Sequence, residues 1–532
     1  MITRYAGLLI TRMPWTYALV TRPSTLCVGI FAYVCWRVIH ARWLSPLRNV
    51  PGPFYSRISS LPSRARGLFS STNDDMIRGA QKYGPLYMME PTKVAVCDPE
   101  DCRIMLASYK FAKNKLYSNV GFMDPNIFLT RDEDLNKQRR RQIGPALSPT
   151  GLRDMEHTIL AAGPQQLLAK WDERLDASGG PPGEQAVKLC YFHDFTLMSF
   201  DIIASLGFGQ KHRSLTTQDT KVAQWVEKTF TMMILQMVLP VVKLWPFRVV
   251  VDMLLGRHVR ELFRFGHAAI QQRKVHLQKG LPKPDDVLQK FIDAEDPEEE
   301  GIRMTSRQVI TETIMMLISG ADTSSTALAW TIHLLLLYPQ HLRQATEQVR
   351  QNFALDHLIT YEEARRRVPF LEACILESLR LCPVSTNLPR IVPPGGVVLS
   401  GHYIPEGYTV TACTAAANQN PSKWPDPQRF DPGRFAPSNP NVEANRRNLM
   451  TMSSGVRICP GRYLVMLEMM VTLANILNRY DLSLPADARY TPDNLTAQGL
   501  PEIMPRTNLV AMVPKYPSRD CNVVISKRKN IS

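Results

Sequence analysis

Near the C-terminal end one cysteine, Cys459, stands two residues after Arg457 and two before Gly461, in the run Gly455-Val-Arg457-Ile-Cys459-Pro460-Gly461-Arg462. A thiolate is a soft metal ligand, and it forms most readily beside positive charge or a helix N-terminus. Leu464, Leu467 and Met470 follow at helical spacing, so the loop is expected to lead into a helix whose first free N–H groups favour the thiolate. Gly455 and Gly461 permit tight turns and a close approach to something flat. Arg457 is suited to meet a carboxylate.

Other residues could do chemistry or hold a cofactor. Ser319-Gly320-Ala321-Asp322-Thr323-Ser324 lies at the centre of a helix predicted over 305–338 and bounded by Pro339. A glycine among small and hydroxyl residues weakens a helix and can open its hydrogen-bond ladder into a groove for dioxygen or water. Asp322 and Thr323 supply an acid and an alcohol, the pair needed to relay protons to bound oxygen. The residue types alone are also compatible with a Ser/Thr face packed on its neighbours. Glu377 and Arg380 share one face of a helix predicted over 370–381 and can form an ion pair, a common spacing in any helix. A basic run, Asn136-Lys137-Gln138-Arg139-Arg140-Arg141, precedes Gly144-Pro145-Ala146-Leu147-Ser148. At least two of its three arginines are expected to form a solvated face.

Together these runs resemble the cytochromes P450. Gly455, Arg457, Cys459 and Gly461 match the family's Phe-x-x-Gly-x-Arg-x-Cys-x-Gly loop, with Met452 in place of Phe and Val465 in place of a usual Ala. The resemblance spans about residues 50–515, with five motifs in the family's order. It implies haem b, iron protoporphyrin IX, with Cys459 as the axial iron ligand. It implies oxygen activation by Asp322 and Thr323, and propionate contacts from Arg140, Arg390 and Arg457. Gly455 and Gly461 become cofactor-binding positions. Glu377, Arg380 and Arg434 become a structural network around the haem. Three departures stand out: Ser319 for the usual Ala, Gly433 for a frequent Glu, and Asn136 where Trp or His is usual. Asn136 could still reach a propionate.

The same resemblance implies a monooxygenase that inserts one oxygen atom from O2 into a lipophilic small molecule. Electrons would come from NADPH through an NADPH–cytochrome P450 reductase, because no Gly-x-Gly-x-x-Gly follows a strand anywhere in the chain. The C-terminal third is similar to fungal members, which points to secondary metabolism. Substrate-facing stretches would be 117–129 (YSNVGFMDPNIFL), 230–239 (FTMMILQMVL), the middle of the long helix, and 384–388 (VSTNL). Methionine stripes at helical spacing also suit an ordinary core. Two alternatives remain open: a haem-thiolate isomerase or dehydratase that does not use O2, and a non-catalytic haem-binding membrane protein.

The elements that must position these residues follow from periodicity. Long helices dominate 150–380, and short β-prone segments occur at 86–97 and 396–412. The predicted fold class is mainly α with small β-sheets at one side, preceded by an N-terminal membrane anchor. The anchor and its flanks cover 1–44, a proline-rich hinge 45–56, the haem-thiolate domain 57–515 and a tail 516–532. Apolar stretches at 15–20 and 24–39 carry Trp36 and Trp43 as interface anchors, and Arg37 would have to snorkel. Arginines 37, 42, 48 and 57 follow the segment and 3, 12 and 22 precede it, a slight excess that puts the main body on the cytoplasmic face of the endoplasmic reticulum.

The ten cysteines are scattered without CxxC pairs, which fits a reducing compartment and argues against a zinc site or disulfide frame. Net charge is +15 without aromatic interleaving, so nucleic acid is excluded and an acidic protein or anionic membrane is favoured. The acidic stretch 293–300 is expected to be a solvated loop. Asn494 and Asn530 head glycosylation sequons that a cytoplasmic body would leave unmodified.

Overall fold

The computed structural model describes residues 23–63, 72–179, 185–210, 213–299, 301–385, 387–508 and 512–528. The apolar stretch 15–20, arginines 3, 12 and 22, Thr386 and the sequon at Asn530 lie outside the described residues.

Helix α1 (Pro23–Ile39) leads into the proline-rich stretch. Then come strands β1 (Leu86–Glu90) and β2 (Lys93–Val96) and helices α2 (Pro99–Leu106) and α3 (Glu133–Ile143). Strand β3 (Ala186–Cys190) precedes α4 (Tyr191–Phe208), α5 (Lys221–Val238), α6 (Arg257–Gln278), α7 (Ser306–Leu337) and α8 (Pro369–Leu381). Next are β4 (Asn387–Ile391), β5 (Val397–Leu399), β6 (His402–Ile404), β7 (Thr409–Cys413) and α9 (Arg462–Arg479). The chain closes with β8 (Tyr480–Ser483), β9 (Arg506–Asn508), β10 (Met512–Pro514) and β11 (Asn522–Lys527).

Segment 86–97 and the end of segment 396–412 join β4, which lies outside both, in a sheet of order β1-β2-β7-β4, in which only β2 and β7 run parallel. A second sheet has the order β3-β11-β8. Two further antiparallel pairs are β5-β6 and β9-β10.

The centre of the helical part is α7. A capping box starts it: Thr305 Oγ1 accepts the Gln308 N–H, and Gln308 Oε1 accepts the Thr305 N–H. It is apolar nearly all round and packs against α4, α6, α8 and α9, as a core helix must. Trp330 on α7 is fully buried and donates its indole N–H to the Met512 carbonyl at 2.8 Å.

The N-terminal end differs from a free tether. No helix among the described residues is long and apolar enough to cross a membrane. The proline-rich stretch is packed, with Leu47 and Val50 buried beneath the first sheet and the Met88 N–H bonded to the Pro51 carbonyl at 2.8 Å. Gly52 has φ +144° where a Cβ would meet the Met88 backbone at 2.9 Å, so only glycine fits. Arg57 donates to the carbonyls of Leu47, Arg48 and Val50, and Arg37 donates to the Ile58 carbonyl. Arg37 reaches protein backbone rather than snorkelling freely.

Candidate functional site

Cys459 sits in the loop just before α9, whose N-cap is Gly461. The Cys459 N–H donates to the Met452 carbonyl at 2.9 Å, closing the loop on itself. Burial pushes the Cys459 thiol up, opposed by the Gly461 N–H and by the guanidinium groups of Arg140 and Arg462. Such a sulfur becomes a thiolate when a metal ion neutralises it. A Cβ on Gly461 would lie 4.0 Å from Sγ, an ordinary van der Waals distance, so the glycine stands directly beside the sulfur.

Gly455 has a job that packing reveals. With φ +64°, a Cβ there would stand 2.1 Å from the Leu106 carbonyl oxygen. Glycine is needed here because the loop presses against the end of α2.

The three arginines expected at a propionate pair converge from distant elements. Arg140 comes from α3, which Asp132 caps through the N–H groups of Asp134 and Leu135. Its Nη2 donates to the Ile458 carbonyl at 2.9 Å, next to the cysteine. Arg390 is a buried residue of β4, held at register with Val410 of β7. Arg457 is buried, and Nε, Nη1 and Nη2 all lack a hydrogen-bond partner among the described residues. Its guanidinium lies 5.0 Å from the Tyr109 ring centre. Burial first, then Arg390 and Arg140, pulls Arg457 down to about 10.

A fourth cation, Lys113, was not foreseen. It is buried, and burial together with Arg457, Arg390 and Arg140 depresses its pKa strongly. Its Nζ donates to the Phe128 carbonyl. Nothing in the local sequence marks a lone loop lysine. Its role exists only because the loop folds against three arginines distant in sequence.

Buried cations without anions are costly. This cluster therefore fits a ligand that brings paired carboxylates, set beside a cysteine that is not in a disulfide. The residues present match haem b in both respects.

Two further expectations need correction. Asn136 is fully buried and already committed, with Oδ1 accepting from Tyr109 and Arg140 and Nδ2 donating to the Ile127 carbonyl at 3.0 Å. It braces Arg140 instead of reaching a propionate. The basic run around it is no solvated face. Arg139 is buried 3.5 Å from Glu312, and Arg141 grips the buried Asp296 with two bonds of 2.7 Å. Arg141 in turn holds the Asp296 carboxyl down at about 2. The acidic stretch at 293–300 is thus partly an internal anchor, because α3 packs near it.

Asp322 and Thr323 lie on α7, which stays α-helical throughout. The Ser319 and Thr323 hydroxyls donate to the carbonyls of Met315 and Ser319, at 2.7 and 2.6 Å. The hydroxyls thus turn back on the helix, and its ladder does not open as expected. Burial, with Glu227 next, lifts Asp322 to about 6. No hydrogen bond joins the Asp322 carboxyl to the Thr323 hydroxyl among the described residues.

Glu377, Arg380 and Arg434 meet in a closed knot. Glu377 and Arg380 are fully buried and joined by two bonds of 2.7 Å. Arg434 Nε approaches the same carboxylate at 3.3 Å. Arg380 spends its other N–H groups on the carbonyls of Asn418, Pro427 and Arg429. At Gly433 the backbone N–H donates to Asp431, which keeps an acid beside the network.

Of the stretches expected to face substrate, Met233, Ile234 and Met237 of α5 pack into the main core. Phe122, Ile127, Phe128, Phe230 and Met316 are only partly buried against it.

Comparison with known proteins decides the family. The Cytochrome P450 family model matches residues 53–506. The chain belongs to the cytochrome P450 family. It is 37% identical over 513 residues to the cytochrome P450 monooxygenase helB3 of Aspergillus fumigatus, covering 96% of this chain and 99% of that one. To helB1 of the same fungus it is 36% identical, covering 95% and 85%. The crystal structure of the cytochrome P450DA heme domain superposes with a TM-score of 0.72 at 21% identity, covering 86% of this chain and 93% of that one, and shows the shared fold. This P450 is a haem-thiolate monooxygenase with haem b as cofactor. It takes electrons from a redox-partner reductase and acts on a lipophilic substrate.

Proposed function

We propose that Cys459 ligates the haem iron and that Arg140, Arg390 and Arg457 hold the two propionates, with Lys113 adding to the positive field. The observation that carries this reading is the set of three unpartnered guanidinium nitrogens on buried Arg457. Bound there, the haem supplies thiolate-promoted cleavage of the O–O bond and oxidation of a substrate C–H bond.

The chain's own residues do the rest. Burial lifts Asp322 to about 6, so its carboxyl can hold a proton and release it. Thr323 must swing its hydroxyl off the Ser319 carbonyl to take that proton onward. Partly buried Phe122, Phe128, Phe230 and Met316 exclude water and suit an apolar metabolite. The substrate belongs to secondary metabolism, and the fungal relatives support that assignment.

The protein works at the endoplasmic reticulum membrane with its body on the cytoplasmic side, and its donor is NADPH–cytochrome P450 reductase. Support comes from two exposed apolar surfaces. One is α1, with Phe31 71% exposed and Trp36 55% exposed. The other is the segment after α5, where Trp245 is 83% exposed beside Leu244 and Met253. Lys243, Arg248 and Arg257 lie along the second surface, and such a pattern suits an anionic interface.

Cys459→Ala in haem-loaded protein tests the ligand assignment. The ferrous carbonyl complex of the wild type should show the red-displaced Soret band of thiolate ligation. The variant should lack it, and a retained band refutes Cys459 as ligand.

A further inference from the structure

One buried acid in α7 has no part in the chemistry above. Glu312 is 3% exposed. Both of its oxygens accept the Ile127 N–H, at 3.1 and 3.2 Å. Arg139 of α3 stands 3.5 Å away and Lys113 adds its charge; these are the charged groups that face it among the described residues. Burial lifts Glu312 to about 7 against the pull of that N–H and those two cations.

Its place on the helix matters. Glu312, Met316, Ser319 and Thr323 are spaced by four, three and four residues, so they share one face of α7. The residue it grips belongs to the loop 119–129, which has little regular structure of its own. That loop is tied down by side chains at both ends. Gln236 of α5 accepts the Gly121 N–H at 2.8 Å, and Asn119 donates to the Met237 carbonyl at 3.2 Å. At the other end two side chains of α7 hold it: exposed Arg307 pairs with Asp124 at 2.6 Å, and buried Glu312 takes the Ile127 N–H.

A buried carboxylate is a poor way to add stability. Apolar residues of similar volume often do as well or better. An acid is useful where geometry must be fixed, because its two oxygens accept from one direction while the cations hold it from another.

We propose that Glu312 is a positioning residue: it fastens the 119–129 loop to α7 and so fixes one wall of the substrate chamber. This rests on the reading of 117–129 as substrate-facing. Phe122, Ile127 and Phe128 would then keep their places because Glu312 holds the Ile127 N–H while Asn136 and Lys113 hold the Ile127 and Phe128 carbonyls.

The test uses the full-length haem-loaded protein and three variants. Glu312→Leu with Arg139→Leu removes the pair together, so no charge of that pair is left buried. Ile127→Pro removes the N–H donor and leaves both charges, while also fixing φ at 127 and replacing the isoleucine side chain. Glu312→Gln keeps an acceptor for that N–H. Hydrogen exchange over 121–129 and the dissociation constants of imidazole and 4-phenylimidazole, read from the Soret shift, are measured for each.

The double variant and Ile127→Pro should exchange the loop about tenfold faster. Both should change the ratio of the two dissociation constants by about fivefold or more, through the bulky probe alone. Glu312→Gln should return most of the wild-type behaviour. A purely stabilising role predicts instead that the double variant behaves like the wild type. Unchanged loop exchange in both disruptive variants overturns the proposal. Faster exchange with an unchanged ratio also overturns it, by removing the loop from the chamber wall. The ferrous carbonyl band should persist in all three variants, so either failure is distinct from failure of the Cys459 assignment.

Discussion

Two buried clusters of arginine lie in this molecule, and they differ in one respect. At Glu377, Arg380 and Arg434 the described guanidinium contacts end on a carboxylate or a carbonyl of the same chain. At the other cluster burial, with Arg390 and Arg140, lowers both Arg457 and Lys113, and the Arg457 nitrogens have no hydrogen-bond partner among the described residues, only the face of the Tyr109 ring at 5.0 Å. A closed cluster is finished when the chain folds. An open one is finished only when something else brings the charge. The comparison separates residues kept for the fold from residues kept for a ligand, without reference to motifs.

The largest expected effect breaks the closed cluster. Arg380→Leu leaves buried Glu377 with only the longer Arg434 contact and the Asp431 N–H, and should cost about 3–5 kcal/mol. The expected outcome is failure to accumulate folded, haem-loaded protein, measured by absorbance and thermal melting. A variant that loads haem and melts like the wild type would contradict the closed reading.

The open cluster should respond with the opposite sign in the haem-free protein. Arg457→Met removes a buried charge that has no partner, so the haem-free form should gain about 1–3 kcal/mol in denaturant unfolding. The haem-loaded form should lose the group about a hundredfold faster, measured by capture with an apo-globin. Loss of stability in both forms would mean that Arg457 is a fold residue after all.

Buried acids sharpen the contrast. Glu468 of α9 is fully buried, accepts the Ser199 hydroxyl, and has no hydrogen-bond partner at Oε2 among the described residues. Burial lifts it to about 7, opposed by Ser199 and Ser324. The folded state therefore binds more protons than the unfolded state between the ordinary glutamate range and pH 7. Its ionisation lowers stability as pH rises through that window, and the penalty is complete above the folded pKa. Relative to Glu468→Gln, the wild type should lose about 3 kcal/mol between pH 4.5 and pH 8. Parallel pH curves for the two proteins would contradict a neutral buried acid.

The smallest effect probes the open cluster without mutation. A free dicarboxylate such as succinate should raise the stability of haem-free protein by about 1 kcal/mol or less, through simple mass action. Arg457→Met should abolish the rise. An equal rise in the variant would place the anion elsewhere.

Much of this was legible in the sequence. The helix through Asp322 and Thr323, the strands near 86–97 and 396–412, and the pairing of Glu377 with Arg380 all follow from local spacing and turn residues. The loop around Cys459 was legible because its glycines, arginine and cysteine are close in the chain. What was not legible depends on chain segments far apart. Glu312 meets Ile127 across 185 positions, and Arg141 meets Asp296 across 155. Lys113 has no motif, and its importance arises only from the arginines folded around it. Gly455 was legible as a glycine position, but only packing reveals that the Leu106 carbonyl lies beneath it.

The open cluster is tested most directly by comparing haem b with its dimethyl ester, which keeps the iron and the ring but removes both negative charges. The haem-free wild type should bind the free acid about a hundredfold more tightly than the ester, and Arg457→Met should discriminate far less. Equal affinities in the wild type would contradict the claim that these cations are completed by the haem carboxylates.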